Sequence, residues 1–288
     1  MNLFNFFRPS TLTPAWTFSA DGVIWRLVFA PGGRLIGESR DREKKAASFF
    51  CLDLIAGKPL WKNLALDEPW WIGIESVHNS TLLLHGFVSP DMPEHRGIQA
   101  FDVGTGQRLW EDETLTYWFG GAERLFAYRD FFDKRVGYEI EIRSGSIIAT
   151  HDSTMDELNK IRQEIAGTAF VPEVTIPEPL DDEADPIVMG CVNHATKGME
   201  VVGGIEYAKS GGFMIFDFNV RSEGRGAEPS SLENILAVYE LPGRKRIFFE
   251  VTARGLKSRV PDVFFICNET LFFVKDQRTL TAIRLWKS

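Results

Sequence analysis

A repeated segment limits the folds that this chain can adopt. The segments FCLDLIAGKPLW at 50–61 and QAFDVGTGQRLW at 99–110 share an Asp, a Gly and a Trp at identical spacing. Asp53, Gly57 and Trp61 of the first segment each recur 49 residues later in the second. A repeat of roughly 50 residues is typical of proteins that stack similar supersecondary units. We therefore expect several similar units along the chain.

Two weaker copies extend the repeat. YEIEIRSGSII at 138–148 keeps the glycine as Gly145, and LAVYELPGRKRIFF at 236–249 has Gly243 at the turn and Phe248 near the Trp position. Glycine suits the turn because a tight reversal between two strands needs positive φ, which glycine adopts without a Cβ clash. Alternating strand patterns bounded by turn residues predict four short antiparallel strands in each unit.

The order of Ala, Asp, Thr-Gly and Trp between Ala100 and Trp110 resembles the repeat of quinoprotein-type (PQQ-like) β-propellers. The chain as a whole also resembles a bacterial family with a domain of unknown function. The segments similar to that family are WWIGIE at 70–75, LHGF at 84–87 and PEHRG at 93–97. These resemblances imply a β-propeller. The repeat implies blade packing without a quinone ligand, and the family implies no known activity.

The patterns and the resemblance together predict an all-β chain, with residues 1–288 forming a single β-propeller domain. We expect five four-stranded antiparallel blades. Their expected bounds are 21–63, 68–112, 114–151, 198–251, and 260–286 combined with 13–19. N- and C-terminal strands would share the last blade, which removes exposed sheet edges. Six blades result if Val171–Ile176 and Pro186–Val192 pair as strands.

Residues 152–197 interrupt this pattern as an insertion. Thr154 and Glu157 have the spacing of a capping box, and apolar residues follow at helical spacing, which predicts a helix over 154–166 that stops at Gly167. The segment VPEVTIPEPLDDEADP at 171–186 is rich in proline and acids and contains no base, which predicts an extended exposed loop. It is either a solvated insertion between blades or a flexible lid or partner-binding arm; we favour the insertion.

Charge and cysteine content restrict the function classes. The formal net charge is −8, which argues against nucleic acid and anionic membrane surfaces as partners. Three widely spaced cysteines without a Cys-x-x-Cys pattern argue against a disulfide framework or a zinc site. The N-terminus does not resemble a signal peptide, and no apolar segment reaches the ~20 residues of a membrane span. We therefore expect a cytoplasmic protein.

Tryptophans are the first candidates for a binding site. Those at the ends of repeat units are expected to pack between blades, and they are Trp16, Trp61 and Trp110. Those near the start of a first strand are Trp25, Trp70, Trp71 and Trp118. In a propeller such strands line the central axis, where these rings could form an aromatic collar for a flat or sugar-like ligand. The alternative is that they also pack in the core.

Charged residues within apolar strands are the second set of candidates, because a buried charge needs a partner. They are Arg26, Glu38, Arg40, Glu75 and His85. They either line a polar pocket, with Glu75 as a partner for Arg26 or Arg40, or form structural ion pairs. The candidate ligand-binding set therefore comprises Trp25, Arg26, Glu38, Arg40, Trp70, Trp71, Glu75, His85 and Trp118.

The segment HGFVSPDMPEHR at 85–96 contains residue types that bind metals, namely His85, Asp91, Glu94 and His95. Their spacing matches no standard site, so neither a metal nor a cofactor is predicted. Nucleophile elbows and phosphate-binding loops are also missing. The sequence therefore favours a non-catalytic binding or protein-interaction module that uses the mouth of the axis for a small molecule or a protein. The alternative is a glycan-processing or other hydrolytic enzyme using carboxylates such as Asp21, Glu38 and Glu75.

Overall fold

Short antiparallel strands make up most of the structure. The computed structural model describes residues 12–89, 92–151, 155–167, 170–181, 185–222, 231–241 and 243–285. These residues fall into two compact units. The first unit is Ala20–Pro172, and the second combines the described residues before Ala20 with Glu173–Ser288.

The N-terminal strand β1 (Trp16–Ser19) belongs to the second unit. The first unit, Ala20–Pro172, forms three sheets, each made of four consecutive strands. The first sheet contains β2 (Val23–Ala30), β3 (Arg34–Asp41), β4 (Ala46–Asp53) and β5 (Pro59–Leu64). The second contains β6 (Ile72–His78), β7 (Thr81–Phe87), β8 (His95–Asp102) and β9 (Arg108–Asp112). The third contains β10 (Thr116–Gly120), β11 (Arg124–Asp130), β12 (Arg135–Glu141) and β13 (Ile147–His151). Helix α1 (Met155–Ala166) follows.

The second unit contributes two more sheets and a helix. Its first elements are β14 (Val174–Thr175), β15 (Glu178–Pro179) and α2 (Pro186–Ala195). The long strands are β16 (Glu206–Ser210), β17 (Phe213–Ser222), β18 (Ser231–Glu240) and β19 (Lys245–Leu256). The last strands are β20 (Phe264–Cys267), β21 (Thr270–Lys275) and β22 (Thr279–Arg284). The fourth sheet has the order β15-β16-β17-β18-β19, and the fifth has the order β1-β22-β21-β20-β14.

Five antiparallel sheets of four or five strands are the blade organisation of a β-propeller, and this confirms the predicted all-β class. The sheets agree with the five expected blades. The shared terminal blade is also confirmed, because β1 pairs antiparallel with β22 from Trp16 opposite Ala282 to Ser19 opposite Thr279.

The six-blade alternative is wrong. Residues 186–195 form α2 because the Asp185 carboxylate caps the helix, accepting a hydrogen bond from Ile187 N at 2.7 Å, and Pro186 fits the first helical turn. A short apolar segment such as this one does not distinguish a strand from a buried helix by periodicity. Val174–Thr175 does form a strand, but it pairs with β20 at the edge of the fifth sheet.

The helix predicted over 154–166 is present as α1 (Met155–Ala166), while Thr154 of the proposed capping box lies outside the described residues. The acidic segment is exposed at Val171 and Ile176, as expected. It is more ordered than a simple loop, because two-residue strands attach it to the fourth and fifth sheets.

The repeated Asp and Gly form the same turn in successive sheets. The carboxylate of Asp102 accepts hydrogen bonds from Gly104 N and Thr105 N, both at 3.0 Å, and Gly106 follows with φ of 71°. Asp53 caps its turn in the same way, before Gly57 at φ of 66°. An Asp side chain that caps the next backbone amides is a common turn device, so these residues serve the hairpins.

The repeated Trp packs against the glycine of the following sheet. Trp61 lies on Gly106 and donates its indole N–H to Val103 O at 2.8 Å. Trp110 lies on Gly145 and donates to Ile142 O at 2.9 Å. The packing role expected for these two tryptophans is therefore confirmed, and it explains why Gly and Trp recur together.

Candidate functional site

The first strand of each sheet in the first unit carries a β-bulge. The extra residue of the bulge is Trp25 in β2, Glu75 in β6 and Trp118 in β10. In each case the residues on either side of it pair with two adjacent residues of the neighbouring strand. A bulge re-aims a side chain relative to the regular pleat, and bulges are frequent beside functional sites. All three residues belong to the predicted binding set, so the structure gives them a shared backbone feature.

Arg40 and Glu38 form a buried ion pair in the first sheet. The Arg40 guanidinium donates from Nε to Glu38 Oε1 at 2.6 Å. Its other nitrogens donate to the backbone carbonyls of Trp70, at 2.9 Å, and Ile72, at 2.6 Å, so it reaches the start of the second sheet. Glu38 is only 2% exposed. Because Arg40 bonds to the backbone of the second sheet, this buried ion pair links the first two sheets.

Arg26 belongs to the same link. Its guanidinium donates to Ile74 O at 2.6 Å, while the second carboxylate oxygen of Glu38 accepts from Ile74 N at 3.1 Å. Both polar groups of one β6 residue are thus bound by charged side chains of the first sheet. The arrangement matches the structural ion-pair interpretation of these charges, and it does not pair Glu75 with either arginine.

The predicted aromatic residues differ in their surroundings. Trp25 is 58% exposed and Trp71 is 38% exposed, so both rings are accessible. Arg40 lies over the rings of Trp25 and Trp70, with centroid distances of 5.9 and 5.0 Å. Cation–π contacts of this kind hold both rings beside the inter-sheet link.

Trp118 lies within the third sheet. Its ring meets Tyr128 edge-on with centroids 5.7 Å apart and Phe119 at 5.9 Å. It is partly buried by these neighbours, which fits the packing alternative more closely than the exposed rings of Trp25 and Trp71 do.

Glu75 and His85 meet in a cluster that also includes His95. Nδ1 of His85 lies 3.1 Å from Glu75 Oε2, and Nδ1 of His95 lies 2.9 Å from the same oxygen. The two imidazole rings are stacked, with centroids 3.5 Å apart and planes 8° apart. The potential metal-binding atoms of the three side chains all lie within 4.8 Å of one another. The cluster is therefore both polar and compact.

Two bulges bring these side chains together around β7. Glu75 is the extra residue of the β6 bulge. On the other side, His85 pairs with Ile98 but Gly86 pairs with Arg96, so Gly97 is the extra residue of β8. This shift places His95 opposite Phe87, on the same face as His85, because side chains alternate along a strand.

Gly97 has φ of 80°, a conformation that glycine adopts without strain. Without this bulge the regular register would place Arg96 opposite Phe87 and turn His95 to the other face. Gly97 therefore determines which side chain joins the cluster.

The electrostatics of Glu75 keep it ionised. Burial, which would raise the pKa, is the strongest influence on this carboxyl, but the nearby imidazoles of His85 and His95 outweigh it and lower the pKa of Glu75 below its usual value. Nδ1 of the buried His85 has no aligned hydrogen-bond partner among the described residues, although it lies near the carboxylate. This nitrogen can act as a metal ligand in the tautomer that leaves it without a proton.

A groove of about 240 Å³ lies on the second sheet beside this cluster. Its walls include Trp71 and Phe87, which meet edge-on at 6.1 Å. Phe87 also contacts both imidazoles edge-on, at 5.1 Å for His85 and 5.3 Å for His95. One aromatic residue thus joins the groove to the cluster.

The groove is lined by polar groups of both signs. Its charged residues are Glu68, Arg96, Glu111, Asp112 and Glu113. Glu68 accepts from the backbone amides of Trp70 and Trp71, and Asp112 pairs with Arg129 at 2.6 Å. Among the described residues of its lining, acidic groups outnumber the basic Arg96, which favours ligands that donate hydrogen bonds.

Sequence reasoning missed a buried polar cluster in the second unit. Asp217 and Asn219 point the same way from β17, and Asn234 of β18 donates to Asp217 Oδ2 at 2.9 Å. Thr252 donates to the side-chain oxygen of Asn234. Burial raises the pKa of Asp217 to about 6, and nearby Glu206 acts in the same direction. The signal in the sequence is the polar pair at alternate positions of FDFNV, 216–220, inside an apolar strand.

Comparisons with known proteins agree with a domain of unknown function. A family model described as "Domain of unknown function (DUF4905)" matches residues 31–110. Curated proteins give no match to this sequence. Neither helix in the described part of the chain is long and apolar enough to cross a membrane.

Solved structures share only a distant likeness. A structure of the eukaryotic initiation factor is 7% identical, with a TM-score of 0.33, and the match covers 88% of this chain and 53% of that one. The β-propeller domain of the Trilobed protease from Pyrococcus furiosus is 12% identical, with a TM-score of 0.32 and coverage of 87% and 76%. Pyrococcus horikoshii acylaminoacyl peptidase is 9% identical, with a TM-score of 0.31 and coverage of 89% and 43%. This chain thus spans about half the length of the initiation-factor chain.

Proposed function

We propose that this chain is a non-catalytic binding module and that its ligand binds on the first unit, beside the bulge of β6. The observation that carries the proposal is the exposed ring of Trp71 at the wall of the groove. A large exposed aromatic ring next to a concave polar surface is typical of a ligand site. The bulges at Trp25 and Glu75 also support this location, because bulges are frequent beside functional sites.

The proposed ligand is sugar-like. An indole face offers a flat apolar platform for a sugar ring, while carboxylates accept hydrogen bonds from hydroxyl groups. The acidic groups of the groove, with Arg96 as an additional donor, suit a neutral polyhydroxylated molecule. A protein that presents similar groups is the other kind of partner that this surface would accept.

The net charge and the cysteines support the class of partner and the cellular location that we propose. The net charge of −8 supports a partner other than nucleic acid or an anionic membrane. The three cysteines are free and buried, which supports a cytoplasmic location. We attribute the similarity to quinoprotein-type repeats to shared blade packing, because the Asp caps a turn and the Trp lies on a glycine.

A thermal-shift screen with soluble mono- and oligosaccharides tests the proposal, since a ligand that binds the native state raises its Tm. We expect a sugar to raise the Tm of the wild type but not that of Trp71→Ala. Phe132→Ala is the matched control, because Phe132 is a fully exposed aromatic of the same unit, in the loop between β11 and β12. The proposal fails if no sugar raises the Tm, or if Trp71→Ala responds as the wild type does.

The alternative is a glycan-hydrolysing enzyme, and Asp217 is the observation that favours it. A carboxyl with a pKa raised to about 6 resembles a general acid, and Glu206 lies directly opposite it across β16 and β17. Glu38, by contrast, is committed to Arg40 and Ile74. Release of reducing sugar by the wild type and its loss in Asp217→Asn would favour the enzyme over the binding module.

A further inference from the structure

We propose that Glu75, His85 and His95 form a binding site for a divalent transition-metal ion, with Zn²⁺ as its probe. This site does not depend on the sugar ligand proposed above. Two imidazoles and one carboxylate are a donor set that Zn²⁺ accepts, and three protein ligands leave a fourth position open.

Distances within the cluster fit this coordination. With Zn–N and Zn–O bonds of about 2.0–2.2 Å, ligand atoms of a tetrahedral site lie about 3.3 Å apart. The two Nδ1 atoms lie 3.1 and 2.9 Å from Glu75 Oε2. A small outward movement of the side chains brings these atoms to the required spacing. Because the lone pair of an imidazole nitrogen lies in the plane of its ring, the two stacked rings must also tilt apart for both Nδ1 atoms to point at one ion.

The donor atoms also suit a metal, which binds imidazole nitrogens and carboxylate oxygens. The buried Nδ1 of His85 lacks an aligned hydrogen bond among the described residues and can act as a ligand. The carboxylate of Glu75 supplies a negative charge at 16% side-chain exposure.

Access and support are present as well. The His95 side chain is 39% exposed, so the open coordination position can reach solvent or a ligand in the adjacent groove. The ring of His85 and the carboxylate of Glu38 both approach Gly73, since a Cβ there would lie 3.3 Å from His85 Nε2 and 3.5 Å from Glu38 Oε2. Both groups therefore pack against β6 at Gly73, where there is no side chain.

Titration of the tag-free, EDTA-treated full chain with Zn²⁺ by calorimetry tests the site. We expect one Zn²⁺ per chain, and we expect Glu75→Gln and His95→Ala each to weaken binding by at least about tenfold. His151→Ala is the matched control, because His151 lies 3.3 Å from Glu139 in a His–carboxylate pair of the same unit. Its affinity should equal that of the wild type.

Substitution by Co²⁺ gives a second measurement that does not depend on the folding of a variant. Intense visible absorption bands are expected for a Co²⁺ ion held by four or five ligands at one site. The proposal is overturned if the wild type takes up no stoichiometric Zn²⁺, if Co²⁺ shows only the weak bands of the hydrated ion, or if both variants bind Zn²⁺ as tightly as His151→Ala does. In those cases the cluster is a hydrogen-bonded structural element only.

Discussion

The indole ring of Trp61 lies so close to Gly106 that a Cβ at position 106 would be 2.9 Å from Trp61 Cδ2. Trp110 and Gly145 have the same relationship one sheet later, at 2.7 Å. Each glycine therefore meets two requirements at once: it has positive φ, and it leaves space for a ring from the preceding sheet. Two independent causes keep glycine at these positions.

Gly106→Ala should destabilise the protein more than positive φ alone requires. Alanine at positive φ costs about 1–2 kcal/mol, and the clash with the indole adds about 1–3 kcal/mol. Gly33→Ala is the control, because Gly33 has φ of 68° but its Cβ would have no neighbour within 4 Å. Urea unfolding at neutral pH measures both variants, and an equal loss of stability in the two would contradict the packing argument.

The buried pair of Glu38 and Arg40 should contribute far more to stability than an exposed pair. Glu38→Gln leaves the guanidinium without its counter-charge, which costs about 3 kcal/mol when the partner is buried. Glu111→Gln breaks the exposed pair with Arg108 and should cost less than about 1 kcal/mol. Chemical denaturation measures both. Comparable losses would contradict the prediction, because they would show that burial adds nothing to the contribution of the Glu38–Arg40 pair to stability.

The N-terminal strand should be needed for solubility. Deletion of residues 1–19 removes β1 and leaves β22 at the open edge of its sheet. It also removes the hydrogen bond from Ala15 N to Ala282 O, which is 2.8 Å long. An open edge pairs readily with other chains, so we expect aggregation. Deletion of residues 1–11 stops short of β1 and serves as the control. Size-exclusion chromatography compares the two, and a monomeric, folded deletion of 1–19 would refute the prediction.

The repeat made the sheets predictable from sequence. Asp53 caps a turn, Gly57 gives that turn its positive φ, and Trp61 follows at a fixed spacing. Such requirements are local, so they can be recognised directly in a sequence. The pattern was less reliable in the weak copy at 236–249. There Arg244, with φ of 46°, adopts the left-handed conformation that was expected of Gly243.

The cluster around Glu75 could be predicted only in part. Glu75 and His85 stood out as charges in apolar strands, but His95 lies 20 residues beyond Glu75 and joins it through two bulges. A bulge of one residue reverses the face of every side chain after it, so single-residue changes in register decide which groups meet. Such shifts depend on pairing between strands and leave little trace in the sequence beyond a glycine such as Gly97.

Asp217 is a buried carboxyl with an unusual protonation equilibrium. It is 1% exposed, Oδ1 lacks a hydrogen-bond partner among the described residues, and burial raises its pKa from 3.8 to about 6. Because the folded state holds this proton more tightly than the unfolded state does, the group favours folding fully below pH ~4. That contribution is lost as the pH rises to about 6, and above that pH the ionised carboxylate remains buried.

Asp217→Asn should therefore become more stable relative to the wild type as the pH rises from ~4 to ~6, by about 2–3 kcal/mol. Asparagine keeps the shape of the side chain without a buried charge. Urea unfolding at several pH values measures the difference between the two proteins. Asp130→Asn is the control with the opposite sign, because the hydrogen bond from exposed Arg135 lowers the pKa of Asp130, so the wild-type pair is favoured at higher pH. If the stability difference between Asp217→Asn and the wild type does not change with pH, then Asp217 has the same pKa in the folded and unfolded states.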